Sequence, residues 1–239
     1  MYIQKEIKAG NTVEIQKYFC YHAPPPGGRH KKEKPSPEKL KKLNKRKAAE
    51  RLRWIMNTNF KDGDLLLTLD FYKNKPVDSQ EMQVMTAKAF RKMKKLNKDV
   101  KYIYVKEIGK RGGRHVHAVI SGLSLADIQK AWTYGSAHAT PLFSDGQYRK
   151  IADYFTKYSE KTEETEGELV GKRYYGSRNL EKPKITRKVI SASSFRKDPK
   201  VKKGYYLDKD SFVEGISDIT GYAYQYYTMI KAGGQDNDS

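Results

Sequence analysis

Three glycines within five residues, Gly109, Gly112 and Gly113, stand between two short apolar runs, and no other feature limits the fold as strongly. The runs are Tyr102-Ile103-Tyr104-Val105 and Arg114 to Ser121, rich in residues that suit a pleated, half-buried surface. Two such runs joined by a glycine turn predict a β-hairpin. A third run, Asp64-Leu65-Leu66-Leu67-Thr68-Leu69-Asp70-Phe71, is short, apolar and turn-bounded, the pattern of a buried strand. Asp78-Ser79 opens an amphipathic helix through Met82, Met85, Ala89, Phe90, Met93 and Leu96, a stripe that belongs to a core. Leu123 to Trp132 is a second helix capped by Ser124, and Ala137 to Phe143 is a candidate strand. After a turn at Asp145-Gly146, Tyr148 to about Lys161 is helical. Interleaved strands and helices around an antiparallel hairpin predict an α+β fold, a central antiparallel sheet with flanking helices.

On either side the character of the chain changes. Thr12–Ile15 and Tyr18–Tyr21 are weak strand candidates, and Pro24-Pro25-Pro26-Gly27-Gly28 then reads as a linker. From Ser36-Pro37-Glu38 a helix crowded with Lys and Arg runs to about Trp54. It is either a solvated surface helix or a basic arm on nucleic acid, and the proline-rich tether favours the arm. The end of the chain is Tyr-rich and basic and closes on a polar stretch expected to be disordered. The expected organisation is therefore an N-terminal extension over 1–58, a central domain over 59–165, and a C-terminal extension over 166–239.

Charge narrows the partners. With 48 Lys+Arg against 28 Asp+Glu, the formal net charge is +20, a field that favours phosphate backbones or acidic membranes. No apolar stretch reaches the length of a membrane span, and Met1 to Thr12 lacks the apolar core of a secretory signal. One cysteine, Cys20, allows neither an intramolecular disulfide nor a cysteine-rich zinc site. The expectation is a protein of a reducing, intracellular compartment with no membrane partner.

Three features carry chemistry. His115-Val116-His117 lies within a strand, so its two imidazoles share a face at ~7 Å along the strand and can converge on one ion. Glu107, at the end of the paired strand, lies near His115 if the hairpin closes; it is a third ligand or else an exposed partner of Lys106 or Lys110. Two imidazoles and a carboxylate suit Mg²⁺ or Mn²⁺ with positions open for phosphate. Tyr154-Phe155-Thr156-Lys157-Tyr158-Ser159-Glu160-Lys161 places Tyr154 beside Tyr158, and Lys157 beside Lys161, on a helix. A phenol titrates near 10 and is a poor nucleophile until a base or cation assists it, which adjacent ammonium groups can do. The same tyrosines would also serve as ordinary packing residues. Lys110, Arg111 and Arg114 at the hairpin turn can grip DNA phosphates, while Trp132, Tyr134, Tyr174 and Tyr175 are candidates for base stacking, Trp132 more readily as core.

In their order, Leu67-Thr68-Leu69, His–hydrophobic–His and a helical Tyr-x-x-Lys resemble the HUH endonucleases, over about residues 60 to 165. More narrowly the chain is similar to rolling-circle replication initiators (Rep proteins), and the repeated Tyr-x-x-Lys-Tyr-x-x-Lys is similar to their two-tyrosine class. The resemblance implies an HUH/ferredoxin-like nuclease fold and a divalent metal, Mg²⁺ or Mn²⁺, on Glu107, His115 and His117. It implies Tyr154 and Tyr158 as nucleophiles, Tyr154 first, aided by Lys157 and Lys161. The implied activity is nicking and rejoining of single-stranded origin DNA through a 5′-phosphotyrosyl intermediate, in the cytoplasm of a bacterial host. Gly167 to Lys172 has the wrong spacing for a Walker A loop, so unwinding falls to a host helicase and synthesis to a host polymerase. A transposase or relaxase of the same chemistry and a noncatalytic nucleic-acid-binding module are the rival readings.

Overall fold

The computed structural model describes residues 1–20, 37–73, 76, 78–109, 112–143, 147–166, 172–217 and 220–232. In chain order these form β1 (Tyr2–Ala9), β2 (Thr12–Phe19), α1 (Pro37–Asn59), β3 (Leu65–Asp70), α2 (Ser79–Leu96), β4 (Lys101–Ile108) and β5 (Arg114–Ser121). There follow α3 (Leu125–Ala131), β6 (Ala137–Pro141), α4 (Arg149–Glu166), β7 (Tyr175–Gly176), β8 (Lys184–Ile190), β9 (Tyr205–Ile216) and β10 (Ala223–Lys231). Two compact units result, one of Asn44–Glu181 and one of Met1–Leu43 with Lys182–Ser239. The class is α+β, with two antiparallel sheets, and is compatible with an HUH/Rep nuclease fold. No described helix is long and apolar enough to cross a membrane.

Unit Asn44–Glu181 is built on a five-stranded sheet of order β6-β3-β5-β4-β7. The expected hairpin is β4–β5: Gly109 N–H donates to Gly113 O, and Gly112, at φ 76°, takes a left-handed conformation open to glycine. Alternation splits the strands between two cores. On one face Leu67, Leu69, Tyr104, Val116 and Ala118 pack beneath α2 and α3, meeting Met82, Phe90, Met93 and Ile128. The other face, with Ile103, Val105 and Val119, packs against Leu52 and Met56 of α1 and Ala152 and Phe155 of α4. The methionine stripe of α2 is core, and the helix begins where its cap predicts, with the Asp78 carboxylate accepting from Glu81 N–H at 2.7 Å. Ser124 caps α3 in the same way, accepting from Asp127 N–H at 3.2 Å. Helix α4 continues past Lys161 to Glu166, and β6 stops at Pro141, short of Phe143.

Unit Met1–Leu43 with Lys182–Ser239 is a second sheet, of order β8-β1-β2-β10-β9. The stretches expected to be terminal extensions are thus strands of one sheet, and the basic helix runs from Pro37 to Asn59. The compact unit around the central strands is also wider than 59–165, reaching back to Asn44 and forward to Glu181. Strands β8 to β10 escape a local reading because their partners are remote: Lys17 pairs with Gln225, and Gln4 with Lys188. Every residue of β8 from Lys184 to Val189 is exposed, so its sequence carries no buried face to signal a strand. The Pro24–Gly28 linker and the polar end beyond 232 lie outside the described residues.

One buried hydroxyl fixes α4 against the sheet. Thr162 Oγ1 accepts from Ile108 N–H at 3.0 Å and donates to Lys106 O at 3.1 Å, tying the helix to the end of β4. A Thr162→Val substitution conserves shape and removes both bonds, and is expected to lower unfolding free energy by about 1–3 kcal/mol in chemical denaturation.

Candidate active site

Strand pairing collects the site. His115 and His117 project from one face of β5, alongside Val119, while Val116 and Ala118 enter the opposite core. On one side β4 sets Glu107 opposite His115 and Val105 opposite His117. On the other, β3 sets Asp70 opposite His115 and Thr68 opposite His117. Beyond β3, His138 of β6 pairs with Thr68. Period-two alternation then puts Glu107, His115, His117, Thr68, Asp70 and His138 on a single face.

Within this row the contacts are specific. Glu107 Oε2 lies 2.7 Å from His117 Nε2, and both side chains are nearly buried, at 10% and 12% exposure. His117 Nδ1 faces Thr68 Oγ1 at 3.4 Å. His115 Nδ1 meets Asp70 Oδ1 at 2.6 Å. Its Nε2 comes close to Gly113, where a Cβ would sit 3.2 Å from it. Burial pushes the His117 imidazole below its usual pKa despite the opposing pull of Glu107, which favours the neutral, ligating form. Burial would raise the Asp70 carboxyl, but hydrogen bonds from His115 and Ser136 outweigh it and hold the group below the ordinary aspartate range.

Helix α4 lays its tyrosines over the row. The Tyr158 ring stacks on the His117 imidazole, with centroids 3.9 Å apart and planes within 9°. Tyr154 meets Tyr158 edge-on at 5.6 Å and is 58% exposed. Lys157 Nζ lies 6.0 Å from the Tyr154 ring centre, placing a cation beside that phenol. The side chain of Lys161, together with Lys110 and Arg111, lies outside the described residues. Arg114 turns back on the hairpin, its Nη1 donating to Gly112 O at 3.4 Å. The proposed stacking aromatics are packed instead: Trp132 is buried, Tyr134 lies on Phe71, and Tyr175 lies on Tyr104 at 5.0 Å. Tyr174 packs in the core beneath α4.

The donor set suits a divalent ion in chemistry more than in closure. Among the described residues, no three His, Cys, Asp or Glu side chains close on one point as a metal cluster. Glu107 and His117 do meet, whereas the His115 ring centre is 6.3 Å from that of His117. The Nδ1 contact with Asp70 nevertheless has the form by which a ligating imidazole is held in one tautomer with Nε2 left available.

Asp70 is the residue that local sequence reasoning passes over. It ends a buried strand, and the signal for it is register: two places after Thr68 on β3, it faces His115 as Thr68 faces His117. The structure anchors it heavily. Ser136 Oγ donates to its Oδ2 at 2.8 Å, Trp132 Nε1–H donates to its carbonyl at 3.0 Å, and its own N–H donates to Ser136 O. Gly135 makes this possible, because a Cβ there would collide with the Asp70 carbonyl. Gly135→Ala is therefore expected to cost about 1–3 kcal/mol of stability by overpacking. In NMR spectra it should also weaken the sheltered His115–Asp70 proton signal; an unchanged signal and melting curve would refute this role for Gly135.

No curated protein and no solved structure gives a significant match to the chain. Residues 64–163, which span β3 to α4 and contain every residue of the row and both tyrosines, match the family model of the replication-associated protein ORF2/gene 2 protein, in agreement with a rolling-circle replication initiator.

Proposed function

We propose that this chain nicks and rejoins single-stranded DNA through a 5′-phosphotyrosyl intermediate and so initiates rolling-circle replication of a phage, plasmid or mobile element. The observation that carries this reading is the stacking of Tyr158 on His117, with Tyr154 at its edge, over the Glu107–His117 pair. Phenols beside a carboxylate–imidazole donor set fit phosphoryl transfer to tyrosine better than any role in packing alone, since Tyr154 remains 58% exposed.

In the reaction, a phenol oxygen bonds to the scissile phosphorus as the bond from phosphorus to the 3′ oxygen breaks. The phenol gives up its proton and the departing 3′ oxygen gains one, leaving a 3′-OH to prime synthesis and a phosphodiester conserved for rejoining. Tyr154 makes the first attack, with the Lys157 ammonium favouring its phenolate, and Tyr158 takes the second transfer. Mg²⁺ or Mn²⁺, held by Glu107, His115 and His117, would polarise the scissile phosphate as a Lewis acid. Asp70 and Thr68 act as positioning residues, each holding the Nδ1 side of one histidine. The basic residues of α1 add attraction for the DNA backbone, and unwinding and synthesis fall to a host helicase and polymerase.

The test uses a pool of single-stranded oligonucleotides, labelled at the 3′ end, incubated with the protein and Mn²⁺. Wild type should carry the label through denaturing electrophoresis, and Tyr154→Phe/Tyr158→Phe should carry none. No adduct with wild type, or an undiminished adduct with the double variant, refutes the reading in favour of a noncatalytic binding module. Independently, Asp70→Ala should weaken Mn²⁺ binding in calorimetry by about 10–100-fold. Binding unchanged in that variant and in His115→Ala would remove both residues from the site.

A further inference from the structure

Unit Met1–Leu43 with Lys182–Ser239 carries its own concentration of positive charge, on which the nicking chemistry makes no demand. Register places Lys188 of β8, Gln4 of β1, Lys17 of β2 and Gln225 of β10 in one row across a single face of this sheet. The segment from Arg196 to Lys203 lies against that face. Gln225 Nε2 donates to Arg196 O at 2.7 Å, and Lys202 Nζ pairs with Glu6 at 2.7 Å. Between segment and sheet lies a cavity of about 430 Å³. Lys17, Lys188, Arg196, Lys200, Lys202 and Lys203 line it, against Glu6 as the one lining carboxylate.

Such a surplus of five cations around a concave wall is unfavourable until an anion enters, because low-dielectric walls focus the field. Lys17 shows the cost: it is 5% exposed, and burial, then Arg196, then Lys188 push its ammonium below the usual lysine pKa. The Lys17 ammonium lies 5.7 Å from the ring centres of both Phe195 and Tyr227. From Phe195 an aromatic chain leads outward: Phe195 meets Tyr2 edge-on at 5.2 Å, Tyr2 meets Phe19 at 5.2 Å, and Phe19 stacks on Tyr222 at 3.7 Å. Tyr222 is 39% exposed. A basic pocket leading onto accessible aromatic rings is the arrangement by which single strands are held, phosphates on cations and bases on π-faces.

We propose that this pocket is a second single-stranded DNA site, in which Lys17, Lys188 and Arg196 hold backbone phosphate and a neighbouring base stacks on Tyr222. The choice of DNA as the polyanion rests on the nicking function proposed above. The site itself operates without metal and without either nucleophilic tyrosine, so it would retain the strand by interactions the reaction does not consume.

The test measures binding of the full chain to a fluorescein-labelled mixed-sequence 20-mer in EDTA, by anisotropy across a salt series. Lys188→Gln/Arg196→Gln/Lys200→Gln, all exposed positions, should weaken binding by about tenfold or more and lower the salt slope by about 2, at ~0.7 for each phosphate no longer neutralised. The charge-matched control Lys92→Gln/Lys94→Gln/Lys95→Gln, on the exposed side of α2, should change the slope much less. Tyr222→Leu should weaken the single strand by about tenfold and leave a duplex of the same sequence unaffected. Equal losses from the two triple variants would reduce the pocket to part of the general charge and overturn the proposal. Equal losses on duplex and single strand from Tyr222→Leu would overturn the single-strand assignment. Because these readouts need no cleavage, a chain that forms no covalent adduct but passes them keeps the pocket while losing the nicking reading.

Discussion

The site depends on the register between β3 and β5. Pairing Thr68 with His117 and Asp70 with His115 gives each imidazole an oxygen on its Nδ1 side, and the next strand, β4, brings Glu107 to His117. A slip of one residue would turn Thr68 and Asp70 into the core beneath α2 and deliver Leu67 and Leu69 to the histidines. The apolar residues enforce the correct choice, since Leu67, Leu69, Val116 and Ala118 are fully buried on the other face. Hydrophobic patterning and site chemistry are thus one constraint seen from the two sides of a sheet.

How far the sequence reveals this arrangement follows from the range of each interaction. The hairpin is legible because its turn chemistry is local, with glycines between two strands. Helix α2 is legible because its stripe and its Asp78 cap both announce it. The histidines and Glu107 come together by counting along one hairpin. Asp70 does not, because its role requires knowing that β3 pairs beside β5, and its anchors Trp132, Gly135 and Ser136 come from a loop more than sixty residues later. The sheet of the other unit lies further still from a sequence-based view: its ladder joins Lys17 to Gln225, and its edge strand β8 has no buried side to mark it. Trp132 is a smaller case of the same kind, since its indole serves the Asp70 backbone.

Electrostatics separates the two faces that meet phosphate. Around His117, burial and a facing carboxylate keep an imidazole neutral beside an acceptor oxygen, a setting for ligation and transfer. Around Lys17, burial among like charges leaves cations in excess, a setting for retention. The formal charge of +20 therefore has a particular distribution, with one concentration on a sheet separate from the one that carries the tyrosines.

The pairing of β1 with β8 bears on how the chain acquires its shape. Unit Asn44–Glu181 is one continuous stretch of sequence, able to complete its sheet and both cores as it emerges from the ribosome. The other unit is begun by the β1–β2 hairpin and left with both outer edges unpaired until β8, β9 and β10 are made. In the interval those edges offer open backbone hydrogen-bonding groups to any passing strand. Order of synthesis thus gives the tyrosine-bearing unit its structure first, and makes the basic sheet the last part of the protein to close.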